Sequence, residues 1–255
     1  MDMRSFYASA VLASVLLAAG SAIGQEKLLI GTDATYPPFE SLDASGNFEG
    51  FDIDIGKAIC AEMKAECEFV NNEWDGMIPS LVSGKFDMVI SSVSITPERL
   101  KLIDFSDRYY NTPPAVAVSK SSDIADIQAL AGKTIGTQSA TTHANYAEKH
   151  LGQSELRVYP TADEYKLDLA NGRIDGAVDD VVVLTEWVKS EAGSCCKVLA
   201  TLPIDPVING EGVGVAVKKG STLRDRLNAA IQAIRSNGTY KKINDKYFDF
   251  DAYGN

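Results

Sequence analysis

The sequence predicts an α/β protein built as two similar lobes. Short apolar runs of strand length alternate with amphipathic runs of helix length along most of the chain. A helix–glycine–strand phrase also occurs twice: Ser83-Gly84-Lys85-Phe86-Asp87-Met88-Val89-Ile90 aligns with Asn171-Gly172-Arg173-Ile174-Asp175-Gly176-Ala177-Val178. The 255 residues are 45% hydrophobic and 23% charged, enough apolar side chain to bury two modest cores.

In order, Lys27–Thr32 reads as a strand, and Asp52–Met63 as a helix with Ile53, Ile55, Ile59 and Met63 inward. Strand Glu68–Val70, helix Gly76–Val82 and strand Phe86–Ser91 follow. After Thr112-Pro113-Pro114 come strands Ala115–Val118 and Thr134–Thr137, helix Thr142–His150 and strand Arg157–Tyr159. Next are helix Asp163–Ala170, strand Ile174–Val178 and helix Val181–Ser190. Strand Gly214–Val217 precedes helices Leu223–Asn237 and Thr239–Tyr247, separated at Asn237-Gly238. In the repeated phrase each glycine suits a left-handed helix cap and leads into a short buried strand. The strands then stop at Ser91-Ser92 and Asp179-Asp180. Open α/β sheets bind ligands beyond the carboxyl ends of their strands, so both positions belong to a site.

The N-terminus is expected to lie outside the fold. After Arg4 no charge appears until Glu26; Phe6–Ala19 is apolar, and Ala22-Ile23-Gly24 ends the segment with a small-x-small pattern. That is the form of a secretory signal peptide, residues 1–24, cleaved near Gly24. No cysteine follows the apolar segment, which argues against lipid attachment there, and no other stretch is long and apolar enough to span a bilayer.

Twenty-four basic against 35 acidic residues give a net charge of −11, which disfavours nucleic acid as a partner. Four cysteines suit an oxidising compartment. Cys60 and Cys67, at the end of a helix and the start of a strand, read as a disulfide across a turn; metal binding is the rival, without a histidine or a second close cysteine pair nearby. Cys195 and Cys196 are adjacent, and whether they pair, stay free or bridge chains is open.

The two histidines, His143 and His150, lack companions at ligand spacing and read as exposed helix residues, so no metal site is expected. There is no Gly-x-Ser-x-Gly elbow and no phosphate-binding loop, and Gly212-Val213-Gly214 enters a strand rather than a helix. No cofactor or catalytic residue is expected. Instead, Ser91, Ser92, Ser94 and Thr96 surround the end of a strand, and a helix beginning at Pro97 would add free amides facing an anion. Arg99 supplies a fork suited to a carboxylate, or else pairs with Glu98 or Asp104 at the surface. Asp33 follows the first strand as a ligand acid or a turn cap; Tyr36 and Trp74 are pocket walls or ordinary core, and Phe39 is core.

Taken together these segments resemble a known family. Gly31-Thr32-Asp33-Ala34-Thr35-Tyr36-Pro37-Pro38-Phe39, Gly50-Phe51-Asp52-Ile53-Asp54, Ile78-Pro79-Ser80-Leu81, Ser91-Ser92-Val93-Ser94-Ile95-Thr96 with Arg99, and Ile103-Asp104-Phe105-Ser106 recur in periplasmic amino-acid-binding proteins of ABC importers. The ending Asn237–Tyr240, Lys246–Phe250 and Tyr253-Gly254, with the Cys60–Cys67 spacing, is most similar to the lysine/arginine/ornithine- and histidine-binding branch. The resemblance implies the type II two-lobed periplasmic-binding-protein fold. Each lobe would be a sheet flanked by helices, with two hinge crossings near Thr112–Pro114 and Asn209–Gly212. Lobe I would be residues 25–112 and 209–255, lobe II residues 113–208.

It further implies a periplasmic monomer that holds an amino acid and delivers it to an inner-membrane ABC permease complex. Arg99 would grip the α-carboxylate with Ser94 and an amide near Thr141 or Thr142. Asp180 and Ser92 would take the α-ammonium, Asp33 with Ser91 the distal group, and Tyr36 and Trp74 the aliphatic stem. Trp74 stands where that branch more often has Phe or Leu, and Ser139-Ala140-Thr141-Thr142 replaces its usual glycine-bearing loop. The implied ligand is arginine, lysine, ornithine or histidine, with glutamine or an opine as the alternative. A same-fold enzyme similar to cyclohexadienyl dehydratase would need an acid or base, for which Asp33 and Glu40 are the available groups.

Overall fold

The computed structural model describes residues 26–254; the segment read as a signal peptide lies outside the described residues. The chain begins with β1 (Lys27–Thr32), β2 (Thr35–Tyr36), β3 (Glu40–Leu42), β4 (Phe48–Glu49), α1 (Phe51–Met63) and β5 (Glu66–Asn71). It continues with α2 (Met77–Ser83), β6 (Met88–Val89), β7 (Ile103–Tyr110), β8 (Pro114–Ser119), β9 (Thr134–Gln138) and α3 (Thr142–His150). Then follow β10 (Glu155–Tyr159), α4 (Ala162–Ala170), β11 (Gly176–Asp180), α5 (Val181–Lys189) and β12 (Cys196–Thr201). The last elements are α6 (Pro206–Asn209), β13 (Val213–Lys218), α7 (Leu223–Ser236) and α8 (Thr239–Tyr247).

Two five-stranded sheets result, ordered β5-β1-β6-β13-β7 and β10-β9-β11-β8-β12, with a small sheet β2-β3-β4 beside the first. In the first, β1 runs parallel to β5 and β6 while β13 is antiparallel to β6 and β7. In the second, β9 is parallel to β10 and β11, and β8 is antiparallel to β11 and β12. The chain leaves the first sheet after β7 and returns at β13, so two connections join the lobes. The parallel strands β1, β6, β9 and β11 end at Thr32, Val89, Gln138 and Asp180, and their carboxyl ends supply Asp33, Ser91, Gln138 and Asp180.

Five strands lie where the sequence pattern gave none. In Ile103–Tyr110, Asp104, Asp107 and Arg108 break the apolar run, yet Ile103, Phe105, Tyr109 and Tyr110 are buried. β12 and the two-residue strands of the small sheet are likewise too short or too mixed to show period-two alternation. The helix expected from Pro97 is instead a turn followed by a 3₁₀ segment, Arg99–Lys101. The break at Asn237-Gly238 falls between α7 and α8, with Gly238 at φ 83°. Cys60 and Cys67 are disulfide-bonded, with Cα atoms 6.2 Å apart.

Under the cleft, Gly50 at φ 124° lets the start of α1 press on β3: a Cβ there would lie 2.2 Å from the Phe39 carbonyl oxygen. That approach aligns Asp52 N–H on the Phe39 carbonyl at 2.8 Å. Phe39 is fully buried and stacks on Tyr110 at 4.6 Å. Beside it two acids meet in the interior. Asp52 accepts from Tyr109 Oη and Ser92 N, both at 2.7 Å. Glu40 accepts from the hydroxyls of Ser91 and Ser92 at 3.2 Å. Burial, then the Asp52 charge, push the Glu40 carboxyl well above its ordinary range, while burial pushes Asp52 up to about 6. The raised Glu40 pKa favours its protonated form beside Asp52, whose Oδ1 has no hydrogen-bond partner among the described residues.

Gly50→Ala is expected to cost on the order of 2 kcal/mol, because both the backbone conformation and the Phe39 contact resist a Cβ. An unchanged urea midpoint would contradict this account. The acid pair sets a pH dependence as well. A carboxyl whose folded pKa is raised binds its proton more tightly in the native state. Its contribution to stability is complete below about pH 4.5 and is lost as pH rises through the folded pKa. Glu40→Gln keeps the shape without the titration, so between pH 5 and pH 8 its unfolding free energy should fall less steeply than that of the parent chain. Parallel curves would remove the raised Glu40 pKa from this description.

Candidate functional site

The two lobes meet across a cleft lined by Asp33, Tyr36, Glu40, Trp74, Ser91, Ser92, Ser94, Arg99, Gln138, Thr141, Thr142 and His143. An adjoining recess shares Tyr36, Ser92, Ser94, Thr142 and His143 and adds Thr112 and Asp180. Eight of the nine expected ligand residues thus line the main cleft, and Asp180 lines its continuation.

Arg99 sits in the turn after Thr96, whose hydroxyl accepts from the Arg99 amide at 3.2 Å. Its guanidinium donates to the Ser94 carbonyl at 3.1 Å and, across the cleft, to the Ala140 carbonyl at 3.4 Å. Its Cζ lies 5.3 Å from the Trp74 ring centroid. Asp104 pairs with Lys219 instead, and Arg99 has no carboxylate partner among the described residues. Burial alone explains why its pKa falls to about 10. The fork is half-buried and bonded only to neutral groups.

The opposite wall is acidic. Asp33 follows β1, its backbone amide held by the Ser91 hydroxyl at 2.8 Å. Its carboxylate accepts from Thr35 Oγ1 at 3.0 Å and from Gln138 Nε2 of the other lobe at 3.4 Å. Burial raises its pKa, the two hydrogen bonds oppose that rise, and the charges of Asp163 and Glu73 add to it. Asp180 closes β11 and caps α5 by accepting from the Val182 amide at 2.7 Å. Its other oxygen accepts from Thr112 in the inter-lobe connection. Burial pushes Asp180 up to about 7.

Three lining residues carried no signal as ligand groups. Glu40 is an interior acid on a short strand. Gln138 looks like an ordinary polar strand end, yet it reaches both Asp33 and the Pro160 carbonyl, the latter at 3.0 Å. His143 corrects the expectation of an exposed residue. It is half-buried against the cleft, its Nδ1 is 3.2 Å from Asp179, and burial lowers its pKa while the Asp179 charge opposes that fall. Asp179 also accepts from Tyr36 and Tyr165, which locks the lobe I tyrosine to lobe II. His150 is half-exposed and meets Asp205 at 2.8 Å. Thr141 caps α3, accepting from Ala144 N at 3.1 Å and donating to the Gln138 carbonyl at 2.7 Å, so its hydroxyl is committed while Thr142 also faces the cleft.

The site can therefore hold opposite charges out of water, a cationic fork on one side and two acids on the other, between the rings of Tyr36 and Trp74. No group of three or more potential metal ligands occurs among the described residues.

Comparison with known proteins shows what the chain is similar to. The chain is 40% identical over 257 residues to the L-arginine-binding protein of Pseudomonas aeruginosa, covering 99% of each. It is 39% identical over 251 residues to the histidine-binding periplasmic protein of Salmonella typhimurium, covering 96% of each. Its fold matches a solved periplasmic binding protein of Salmonella typhimurium described for high arginine specificity, with TM-score 0.81 and 34% identity over 88% of this chain and 99% of that one. These named relatives are binding proteins, not enzymes, and the fold is that of type II periplasmic binding proteins. Residues 28–250 match the bacterial extracellular solute-binding proteins, family 3, and the chain belongs to that family.

Proposed function

We propose that the protein captures a cationic L-amino acid (arginine, lysine, ornithine or histidine) between its lobes and delivers it to an ABC permease complex. One observation carries the reading: Arg99 is half-buried in the cleft with no carboxylate partner among the described residues, while the acids Asp33 and Asp180 line the same cleft and its continuation. A desolvated guanidinium is costly unless a ligand anion compensates it. An α-amino acid supplies that anion to Arg99, with Ser94 and the first-turn amides of α3 beside it. Its α-ammonium goes to Asp180 and Ser92, and its stem passes between Tyr36 and Trp74. The far end faces Asp33 and Ser91, where Glu73 and Asp163 add negative potential that favours a cation over a neutral amide. The names of the arginine- and histidine-binding relatives support the same ligand class.

The working form is a monomer exported to the periplasm, with residues 1–24 removed. Its lobes are 25–112 with 209–255, and 113–208, hinged at Thr112–Pro114 and Asn209–Gly212.

Asp180→Ala should weaken every α-amino acid by about 2–5 kcal/mol, because the α-ammonium would lose its buried partner. Asp33→Asn should weaken arginine and lysine strongly and spare glutamine, as titration calorimetry on one preparation will show. Equal losses for arginine and glutamine would remove Asp33 from the side-chain end. Affinity should also depend on pH in one direction. Asp180 must be ionised to hold an ammonium, and its pKa is pushed up to about 7, so arginine binding releases a proton near neutrality. The dissociation constant should then rise by about tenfold for each pH unit below the Asp180 pKa. Constant affinity from pH 8 to pH 5 would contradict this.

A further inference from the structure

The turn between α5 and β12, far along the chain from the cleft residues of lobe I, brings two cysteines together. Ser190 accepts from Gly193 N at 3.2 Å, Ser194 N donates to the Glu191 carbonyl at 3.3 Å, and Cys196 N donates to the Gly193 carbonyl at 2.9 Å. Gly193 packs where any Cβ would lie 2.1 Å from the Trp187 carbonyl oxygen, so the turn is held tightly against the end of α5. Lys120 fixes the other side, its amide on the Cys195 carbonyl and its ammonium on the Ser194 carbonyl, both at 2.8 Å. On this frame Cys195 is exposed, Cys196 is buried, and their sulfurs lie 2.8 Å apart. That distance is inside ordinary non-bonded contact and approaches the ~2.05 Å of a covalent bond.

We propose that Cys195 and Cys196 form a reversible disulfide between neighbouring residues, a modification site on lobe II that is separate from the amino-acid cleft. The inference rests on the exported, oxidising location of the chain, to which the Cys60–Cys67 bond also belongs. The chemistry balances by thiol–disulfide exchange with a disulfide-bearing oxidant, either a protein or a small molecule. Cys195, the accessible thiol, loses its proton to solvent and attacks one sulfur of the oxidant, releasing its first thiolate. Cys196 then attacks the Cys195 sulfur, its proton leaves with the second thiolate, and the oxidant departs as two thiols. Burial pushes the Cys196 thiol up to about 12, which makes it the resolving partner and Cys195 the first nucleophile.

The ring closes almost no chain, so it adds little by restricting the unfolded state. Neighbouring Cα atoms are about 3.8 Å apart, below the ~4.4–6.8 Å that disulfides ordinarily span, whereas Cys60 and Cys67 are 6.2 Å apart. The Cys195–Cys196 bond is therefore the more easily reduced of the two, and its role is chemical rather than structural.

The test uses the full chain secreted into the periplasm of a bacterial host, quenched in acid, alkylated without reductant and mapped by mass spectrometry. The expected result is a Cys195–Cys196 peptide lighter than its dithiol by two hydrogen atoms, without adduct. On titration with dithiothreitol both residues should become alkylated before Cys60 and Cys67. Alkylated Cys195 and Cys196 beside a protected Cys60–Cys67 pair would overturn the proposal, as would Cys195 joined to glutathione or to a second chain. If all four were alkylated, the export reading would be at fault. An excess of the strong disulfide oxidant 2,2′-dithiodipyridine added to that folded protein would then decide, with failure to form the ring and release two thiopyridones overturning the proposal. Cys196→Ser should leave Cys195 open to alkylation, with arginine binding retained.

Discussion

A half-buried guanidinium with no carboxylate partner among the described residues is the constraint around which the cleft is organised. Arg99 is held by two backbone carbonyls and the face of Trp74, one carbonyl from each lobe. Neutral acceptors orient the fork but leave its charge uncompensated, so the site retains a demand for an anion. The acids Asp33 and Asp180 carry the opposite demand, and both pKa values are raised by the same loss of water. Strand topology puts them in one place. Four parallel strands from two sheets end at a common opening, and each end contributes a polar group.

The link between ligand and hinge is local. Asp180 ends β11 and caps α5, and it also accepts from Thr112 in the connection between the sheets, while Val181 N donates to the Pro113 carbonyl at 3.0 Å. Asp180 is thus bonded to one of the two connections between the sheets. On the other side of the cleft, Tyr36 to Asp179, Trp74 to Ala140, Gln138 to Asp33 and Ser139 to Asp75 tie the lobes together directly. Contact between the lobes is therefore distributed along both rims and does not rest on a single bond.

Much of this was legible in the sequence where one local signal sufficed. The alternation of strand and helix patterns, the Gly84 and Gly172 turns and the seven-residue cysteine spacing each depend on neighbours in the chain. The residues at strand ends could be named because topology, not contact, places ligands there. Other features needed tertiary information. β7 is interrupted by Asp104, Asp107 and Arg108 because its ladder with β13 is irregular, so strict alternation fails. Gln138 and His143 gain their meaning only from Asp33 and Asp179, which lie 105 residues away in one case and in another element in the other. Glu40 is an acid inside a core only because Asp52, Ser91 and Ser92 close around its proton. No spacing rule exposes that.

The manner in which Arg99 is anchored has an evolutionary side. Its hydrogen-bond acceptors are main-chain oxygens of residues 94 and 140, which survive any exchange of the side chains there. The far end of the cleft is built from side chains, Asp33 against Gln138, with Glu73 and Asp163 behind them. Mutational drift can therefore rewrite one half of the cleft while leaving the other half intact. Under the proposed function, a duplicated copy of this gene would begin with its grip on the backbone of any amino acid already secured, and divergence in diet would be a matter of a few substitutions near Asp33.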